Sequence, residues 1–385
     1  MRRLPALAIV LAVTLLLGLP ALGQTPPTLT LSASEGTIAY GDTVTLSGTS
    51  SNAVAGASIE IVDAAGAVVA DATTDAAGAF RATIGPEGTE SYQARVADAT
   101  SLPVTVRVRA VASVRLSPVR LFDTVTVRGV VAPGRAGGSV EVALVRNGRV
   151  VETHTPAMRA GGSFATRFRI DAVGRYRARA SFEDEDLLRG TAISAGDRTR
   201  LPRLAAGDHG VFVELLERRL VELHYRLAGA KDARYDVRTA DAVVAFHKVQ
   251  GMERIFAVRE STWRRLAEPR TPNPRRTWRG FHIEVDQTRQ VLYTVEDGEI
   301  TNILHISTGA GGATRDGVFR VHRKLAGFSP NNLYYPSYFD GLRALHGWTE
   351  VPTYAASHGC VRIPYWNAQW VFALADYGTR VVIYH

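Results

Sequence analysis

Cys360 is the one cysteine among 385 residues, and it lies in the stretch Leu345–Ile363, LHGWTEVPTYAASHGCVRI. A thiol attacks as its thiolate and is mostly protonated near neutral pH, so a nucleophilic cysteine needs a base or positive charge beside it. Two histidines are near in sequence, His358 and His346. Gly359 and the small residues Ala355, Ala356 and Ser357 allow a tight turn that frees backbone N–H groups to face an oxyanion. His346 comes from a separate segment and can approach the sulfur from the side, whereas His358 would share a face with Cys360 only on a regular strand, which Gly359 disfavours. His346 is therefore the expected general base. A lone cysteine is commonly just a small buried apolar residue, but such a residue needs no Ser-His-Gly before it and no second His-Gly upstream. His282, His305, His322, His346 and His358 could instead be metal ligands, yet none stands in the His-x-x-x-His spacing of a zinc helix. No metal or other cofactor is expected.

The string Ser357-His358-Gly359-Cys360-Val361-Arg362, preceded by His346-Gly347, resembles the signature of the L,D-transpeptidase family, whose catalytic domain is called YkuD-like. The resemblance runs from Phe281 to His385 and takes in Ser307-Thr308-Gly309, Gly317-Val318-Phe319 and Tyr338-Phe339-Asp340-Gly341. It implies Cys360 as nucleophile and His346 as base, the latter held by a backbone carbonyl, that of Gly347. It implies an oxyanion and substrate site formed by the N–H groups of His358, Gly359 and Cys360 together with Ser357, Gly347 and Arg362. The substrate would be a peptidoglycan tetrapeptide stem, attacked before its terminal D-alanine, and an amine of a neighbouring stem would resolve the thioester into a 3→3 cross-link. Resolution by water, an L,D-carboxypeptidase activity, is not separated from this by any sequence feature. A wall-anchored adhesion protein with a decayed enzyme domain is a third reading, against which intact His346 and Cys360 count. Two departures from the family pattern stand out. Thr314-Arg315-Asp316-Gly317 replaces a common Thr-Pro-x-Gly and is expected to affect only a turn. Arg362 replaces Asn and suits either a substrate carboxylate or a surface salt bridge.

The remaining elements must carry this site to its substrate. Residues 1–23 read as a secretory signal: two arginines, an apolar run from Leu4 to Leu19, then Ala21-Leu22-Gly23. An uncleaved anchor is the alternative, and only then would the membrane be a partner; with no cysteine after the run, a lipoprotein is excluded. The expected location is extracytoplasmic, in the cell wall or periplasm. A single cysteine cannot form an internal disulfide, so stability rests on packing. The net charge of +8 is almost wholly arginine, since Lys231, Lys248 and Lys324 are the only lysines. Such a surface favours anionic wall polymers or membrane, unless the genome simply prefers arginine codons. Nucleic acid is not an expected partner, for no basic cluster is interleaved with aromatics.

Two all-β Ig-like sandwiches are expected at 28–110 and 111–198, because runs of alternating polarity are spaced by glycine-rich turns and recur. Thr43-Val-Thr-Leu-Ser-Gly48 returns as Thr124-Val-Thr-Val-Arg-Gly129, and Gly78-Ala-Phe80 returns as Gly162-Ser-Phe164. They read as spacers or as adhesion modules. Residues 204–268 show helical periodicity: a helix around Val211–Leu223, a second from Thr239 as N-cap to Gly251, and a short third from Ser261 or Thr262. Gly207, Gly210, Leu216, Leu220, Tyr225, Tyr235, Val243, Phe246, Gly251, Thr262, Trp263 and Leu266 resemble the pattern of a three-helix peptidoglycan-binding domain, with Asp236-Val237 where relatives have Phe-Gly. Peptidoglycan glycan and stem peptides are the implied partners. Residues 269–279 read as a solvated, proline-rich linker. From 280 to 385 a mainly β domain is expected, with Phe281, Ile283 and Val285 alternating with polar residues, a hairpin turning at Asp297-Gly298, and one helix from Asn367 to Tyr377.

Overall fold

The computed structural model describes residues 28–385 except 52, 53, 98, 136 and 230; the expected signal segment lies outside them. The described chain is mostly β, with four α-helices among the described residues. The described residues form two compact units, 28–111 with 182–190, and 112–181 with 191–385.

In the first unit, strand Val44–Thr49 pairs with Ala79–Ile84, which buries Phe80, Ala82 and Ile84 and exposes Arg81 and Thr83. That alternation is the pleat of a sheet with one covered face. The sequence repeat has a structural counterpart in the second unit, where Thr124–Ala132 pairs with Ser163–Arg169. Gly48 stands opposite Phe80 and Gly129 opposite Phe164. A Cβ on either glycine would strike the facing phenyl ring, so in each copy the ring fills the space a side chain would take. Phe182–Gly190, within the second expected module, clusters with the first unit. Leu188 is in parallel register with Arg109, and Asp186 O accepts the Thr89 N–H there.

In the second unit, helices α1 (Val211–Glu222), α2 (Val237–Gln250) and α3 (Glu260–Ala267) follow the sandwich strands. The N-cap of α2 is Asp236 rather than Thr239: its carboxylate accepts from Arg238 N and Thr239 N, while the Thr239 hydroxyl bonds the buried Glu217. Gly251, at φ 68°, closes the helix in the left-handed conformation. Trp263 of α3 is buried and donates its indole N–H to Pro202 O at 2.7 Å.

An amphipathic helix leaves one face wet, but α2 is buried along almost its whole length. The reason is that α1 and α3 cover one side and the C-terminal sheet the other. Leu216, Val243, Phe246 and Trp263 share a single apolar cluster with Val291, Tyr293, Val295 and Ile303 of that sheet.

Residues 280–385 form two sheets around a second cluster that contains Ile283, Val285, Leu345, Val361, Ile363 and Ile383. One sheet runs in the order Glu299–His305, Val291–Glu296, His282–Asp286, Arg380–Tyr384, Gly317–Arg320. The other runs Arg323–Lys324, Tyr334–Asp340, Arg343–Trp348, Val361–Pro364. The Asp297-Gly298 hairpin forms, with positive φ at both residues. Helix α4 spans Tyr365–Leu374, starting earlier than the periodicity suggested because Pro364 acts as its N-cap, and stopping before Ala375.

Strand His282–Asp286 departs from simple alternation, since all five residues are buried. Segment 269–279 covers its polar face instead of running free in solvent. Glu284 accepts Arg275 N at 2.6 Å and Arg276 N at 2.7 Å, and the Gln250 side chain clamps Arg270 N and O. A buried carboxylate is costly unless hydrogen-bonded, and these two amides supply the bonds.

Candidate active site

The strand Val361–Pro364 runs parallel to Arg343–Trp348, with Leu345 level with Val361 and His346 level with Arg362. Leu345, Val361 and Ile363 point into the core. Alternation therefore turns His346 and Arg362 to the opposite face, and Cys360, two residues before Arg362, continues that face at the strand's start.

His346 is only 3% exposed. Its Nδ1–H donates to Gly347 O at 2.9 Å, which leaves Nε2 as the accepting nitrogen, and the Trp348 ring stands edge-on at 5.6 Å. Burial lowers the imidazole pKa to about 4; the Gly347 bond opposes this and the Arg362 charge adds to it. Gly347 itself admits no side chain, because a Cβ would lie 2.6 Å from Ala368 Cβ of α4.

Cys360 is half-buried, and Sγ lies 3.8 Å from Leu342 O. Burial pushes its thiol up, while the Ala344 backbone and the guanidiniums of Arg343 and Arg362 pull it down. The thiol is thus raised and the imidazole lowered, both shifts that favour the uncharged forms.

The turn before Cys360 is clamped from several sides. Ala356 N and Ser357 N both donate to Thr308 O at 2.9 Å, and Ala310 N donates to Ser357 O at 2.8 Å. The buried Ser357 hydroxyl donates to Cys360 O and accepts the Gly359 N–H at 3.1 Å. Gly359 N–H is thus engaged, which removes it from the expected oxyanion donors. The N–H groups of His358 and Cys360 have no side-chain acceptor among the described residues. His358 projects its ring into solvent.

Residues that sequence reasoning passed over hold Gly359. It has φ 131°, and a Cβ there would lie 2.9 Å from Arg343 Nε and 3.0 Å from Ala313 O. Arg343 Nε donates to Ala313 O, and its Nη1 to Asp340, which also binds Arg315. Thr314 Oγ1 donates to Gly359 O at 2.9 Å and accepts Gly309 N at 2.8 Å. Thr314-Arg315 is therefore more than a turn, since it braces the cysteine loop. Its signal lay in the string Thr314-Arg315-Asp316-Gly317, but only the third dimension shows what the hydroxyl reaches.

Arg362 stacks over Trp348, 5.2 Å from the ring centroid, and forms no ion pair among the described residues. That arrangement does not match a surface salt bridge. His282 bonds Glu284, and His305 bonds Lys248 and Val351 O. No cluster of three or more His, Cys, Asp or Glu with metal-ligand geometry occurs among the described residues. Among those residues, no helix is long and apolar enough to cross a membrane.

A family model described as the L,D-transpeptidase catalytic domain, YkuD, matches residues 280–383. No curated protein matches the chain. Among solved structures, an L,D-transpeptidase from Xylanimonas cellulosilytica is 33% identical, over 48% of this chain and 98% of that one, with a TM-score of 0.45. An L,D-transpeptidase from Stackebrandtia nassauensis is 24% identical over 47% of this chain and 94% of its own, with a TM-score of 0.30. The catalytic domain of the E. faecium L,D-transpeptidase is 24% identical over 28% of this chain and 98% of its own, with a TM-score of 0.23. On the family match and the one-third identity across nearly all of the solved Xylanimonas chain, residues 123–326 of that protein, the chain belongs to the L,D-transpeptidase family, with its YkuD catalytic domain at residues 280–383.

Proposed function

We propose that the protein is an exported cell-wall enzyme that forms 3→3 peptidoglycan cross-links by cysteine acyl transfer. The observation that carries this reading is the His346 Nδ1–H bond to Gly347 O, which keeps Nε2 free on the face that Cys360 shares. Nε2 takes the thiol proton as sulfur attacks the carbonyl of the L-centre residue before the terminal D-alanine. The negative oxygen is held by the N–H groups of His358 and Cys360, each donor of this kind contributing about 3 kcal/mol in other enzymes. The C–N bond breaks, the imidazolium returns its proton to the leaving amine, and D-alanine departs. A side-chain amine of a neighbouring stem then attacks the thioester, giving the cross-link and the free thiol. Arg362, without a carboxylate partner among the described residues, is available for one on the stem.

The helices α1–α3 act as a peptidoglycan-binding module and the two β-modules as Ig-like spacers, with boundaries near 110, 198 and 268. The test is intact-protein mass spectrometry after exposure to a carbapenem, together with product analysis on purified muropeptides. One covalent adduct, absent in Cys360→Ala, and a new cross-linked dimer support the reading. An adduct that persists in Cys360→Ala overturns it, and tripeptide without dimer reassigns the enzyme as a carboxypeptidase.

A further inference from the structure

The second β-module carries a row of arginines with no counter-charge. Arg175, Arg177 and Arg179 occupy alternate positions of the strand Arg175–Asp184, while Tyr176, Ala178 and Ala180 between them are buried. Side chains two apart on a strand share a face at intervals of about 6.7 Å. The short strand Asp197–Arg198 pairs antiparallel with this one and sets Arg198 directly opposite Arg175. Like charges directly opposite in a ladder destabilise a sheet. None of these four guanidiniums forms an ion pair among the described residues.

The neighbouring acid does not neutralise them. Asp197 is committed to backbone, accepting Val119 N through Oδ2 and Arg198 N through Oδ1. Gly196 makes room for the stems, since a Cβ there would lie 2.7 Å from Arg175 Nε and 3.0 Å from Arg177 Nε. The four arginines line a groove of about 440 Å³ floored by the turn Asn147-Gly148. The groove continues into a second hollow of about 450 Å³ that shares Asn147, Arg175 and Arg198, where the only carboxylate, Glu260, is already paired with Arg264.

We infer that this groove binds a linear phosphodiester polyanion, a chain with one negative charge per short polyol unit. A guanidinium fork matches the two free oxygens of a phosphodiester, and an elongated track with regularly spaced forks suits a chain better than a single ion. A flat anionic bilayer cannot enter a groove. A nucleic-acid strand would want aromatic rings for its bases, and no lining residue of either hollow is aromatic. The inference does not depend on the acyl-transfer reading, because the groove contains none of the residues of the Cys360 site.

The experiment is titration of the full chain with polyglycerol phosphate, with phosphatidylglycerol vesicles and oligothymidylate as parallel probes. Wild type binds polyglycerol phosphate with a log-affinity slope against log salt near −3, as expected for about four released counterions at roughly 0.7 each. Arg177→Glu with Arg198→Glu lowers affinity at least tenfold and reduces the slope, while carbapenem acylation stays unchanged. Arg198→Glu alone raises the melting temperature by about 1–2 °C, since it turns a repelling cross-strand pair into an attracting one. Absent binding, binding unaffected by the double variant, or tighter binding to vesicles or oligothymidylate overturns the inference.

Discussion

Lys248 Nζ lies 2.6 Å from His305 Nδ1, joining α2 to the catalytic sheet through two fully buried side chains. Because His305 Nε2–H donates to Val351 O, Nδ1 is the acceptor, and the amine also donates to Gln290 O and Ile306 O. Burial holds Lys248 well below an ordinary lysine, and burial first, then the Lys248 charge, holds His305 well below an ordinary histidine. Lys248→Met keeps the bulk but strands the Ile306 carbonyl and the His305 ring nitrogen, while Gln290 O keeps the Ile306 N–H. At about 1 kcal/mol or more for each stranded group, unfolding free energy drops by about 2 kcal/mol in urea titration. Val351 leads into the Ser357 turn, so Cys360 acylation slows as well; unchanged stability in this variant would show that the three bonds carry no net weight.

His346 gives stability a pH dependence of known sign. Its pKa is lowered from 6.5 to about 4 on folding, so between those values the folded chain binds fewer protons than the unfolded one. Its contribution is complete above pH 6.5 and is lost as the pH falls toward 4, by about 3 kcal/mol across the interval. His247 and His305 are lowered too, so the comparison is with His346→Gln. Urea midpoints at pH 7.5 and pH 4.5 should lie closer together in the variant than in the wild type.

On the proposed mechanism the same histidine sets thiol reactivity. Cys360→Ala abolishes acylation and keeps the fold, at a cost of about 1 kcal/mol for a half-buried side chain. His346→Ala slows acylation at pH 7 by about a hundredfold or more, whereas His358→Ala, whose ring is exposed, stays within about threefold. Rates of adduct formation measured from pH 5 to 9 check this, and a larger loss in His358→Ala exchanges the two roles.

Gly359→Ala forces a methyl against Arg343 Nε and Ala313 O at a backbone angle that side chains rarely adopt. The expected cost is about 1–3 kcal/mol, with a fall in acylation rate because the amide of Cys360 is re-aimed. Thr314→Val removes the hydroxyl that ties Gly309 N to Gly359 O and costs about 2 kcal/mol. Thermal unfolding and acylation kinetics of the two variants should move together.

The bond from His346 to the Gly347 carbonyl and the tight turn before Cys360 were legible in His346-Gly347 and Ser357-His358-Gly359-Cys360, because they rest on residue type and local spacing. What could not be read was who grips whom across the fold. Arg343 and Thr314 act on Gly359 from distant strands and loops, and no periodicity marks them. The polar residues of His282–Asp286 looked like a solvent face, yet the proline-rich segment covers them through Glu284. Gly359 looked free to stabilise an oxyanion, yet the Ser357 hydroxyl takes its N–H.

The core shared by α2 and the sheet strands Val291–Glu296 and Glu299–His305 has a consequence for reach. A module on a slack tether lets its enzyme sweep a volume, and lengthening the tether widens the sweep. Here there is no slack: on the proposed reading of α1–α3 as a wall-binding module, whatever they hold stays at a constant offset from the sulfur of Cys360. On that proposal the enzyme works as a gauge, and the interval it measures is written in the packing of Phe246 and Val243 against Tyr293 and Ile303.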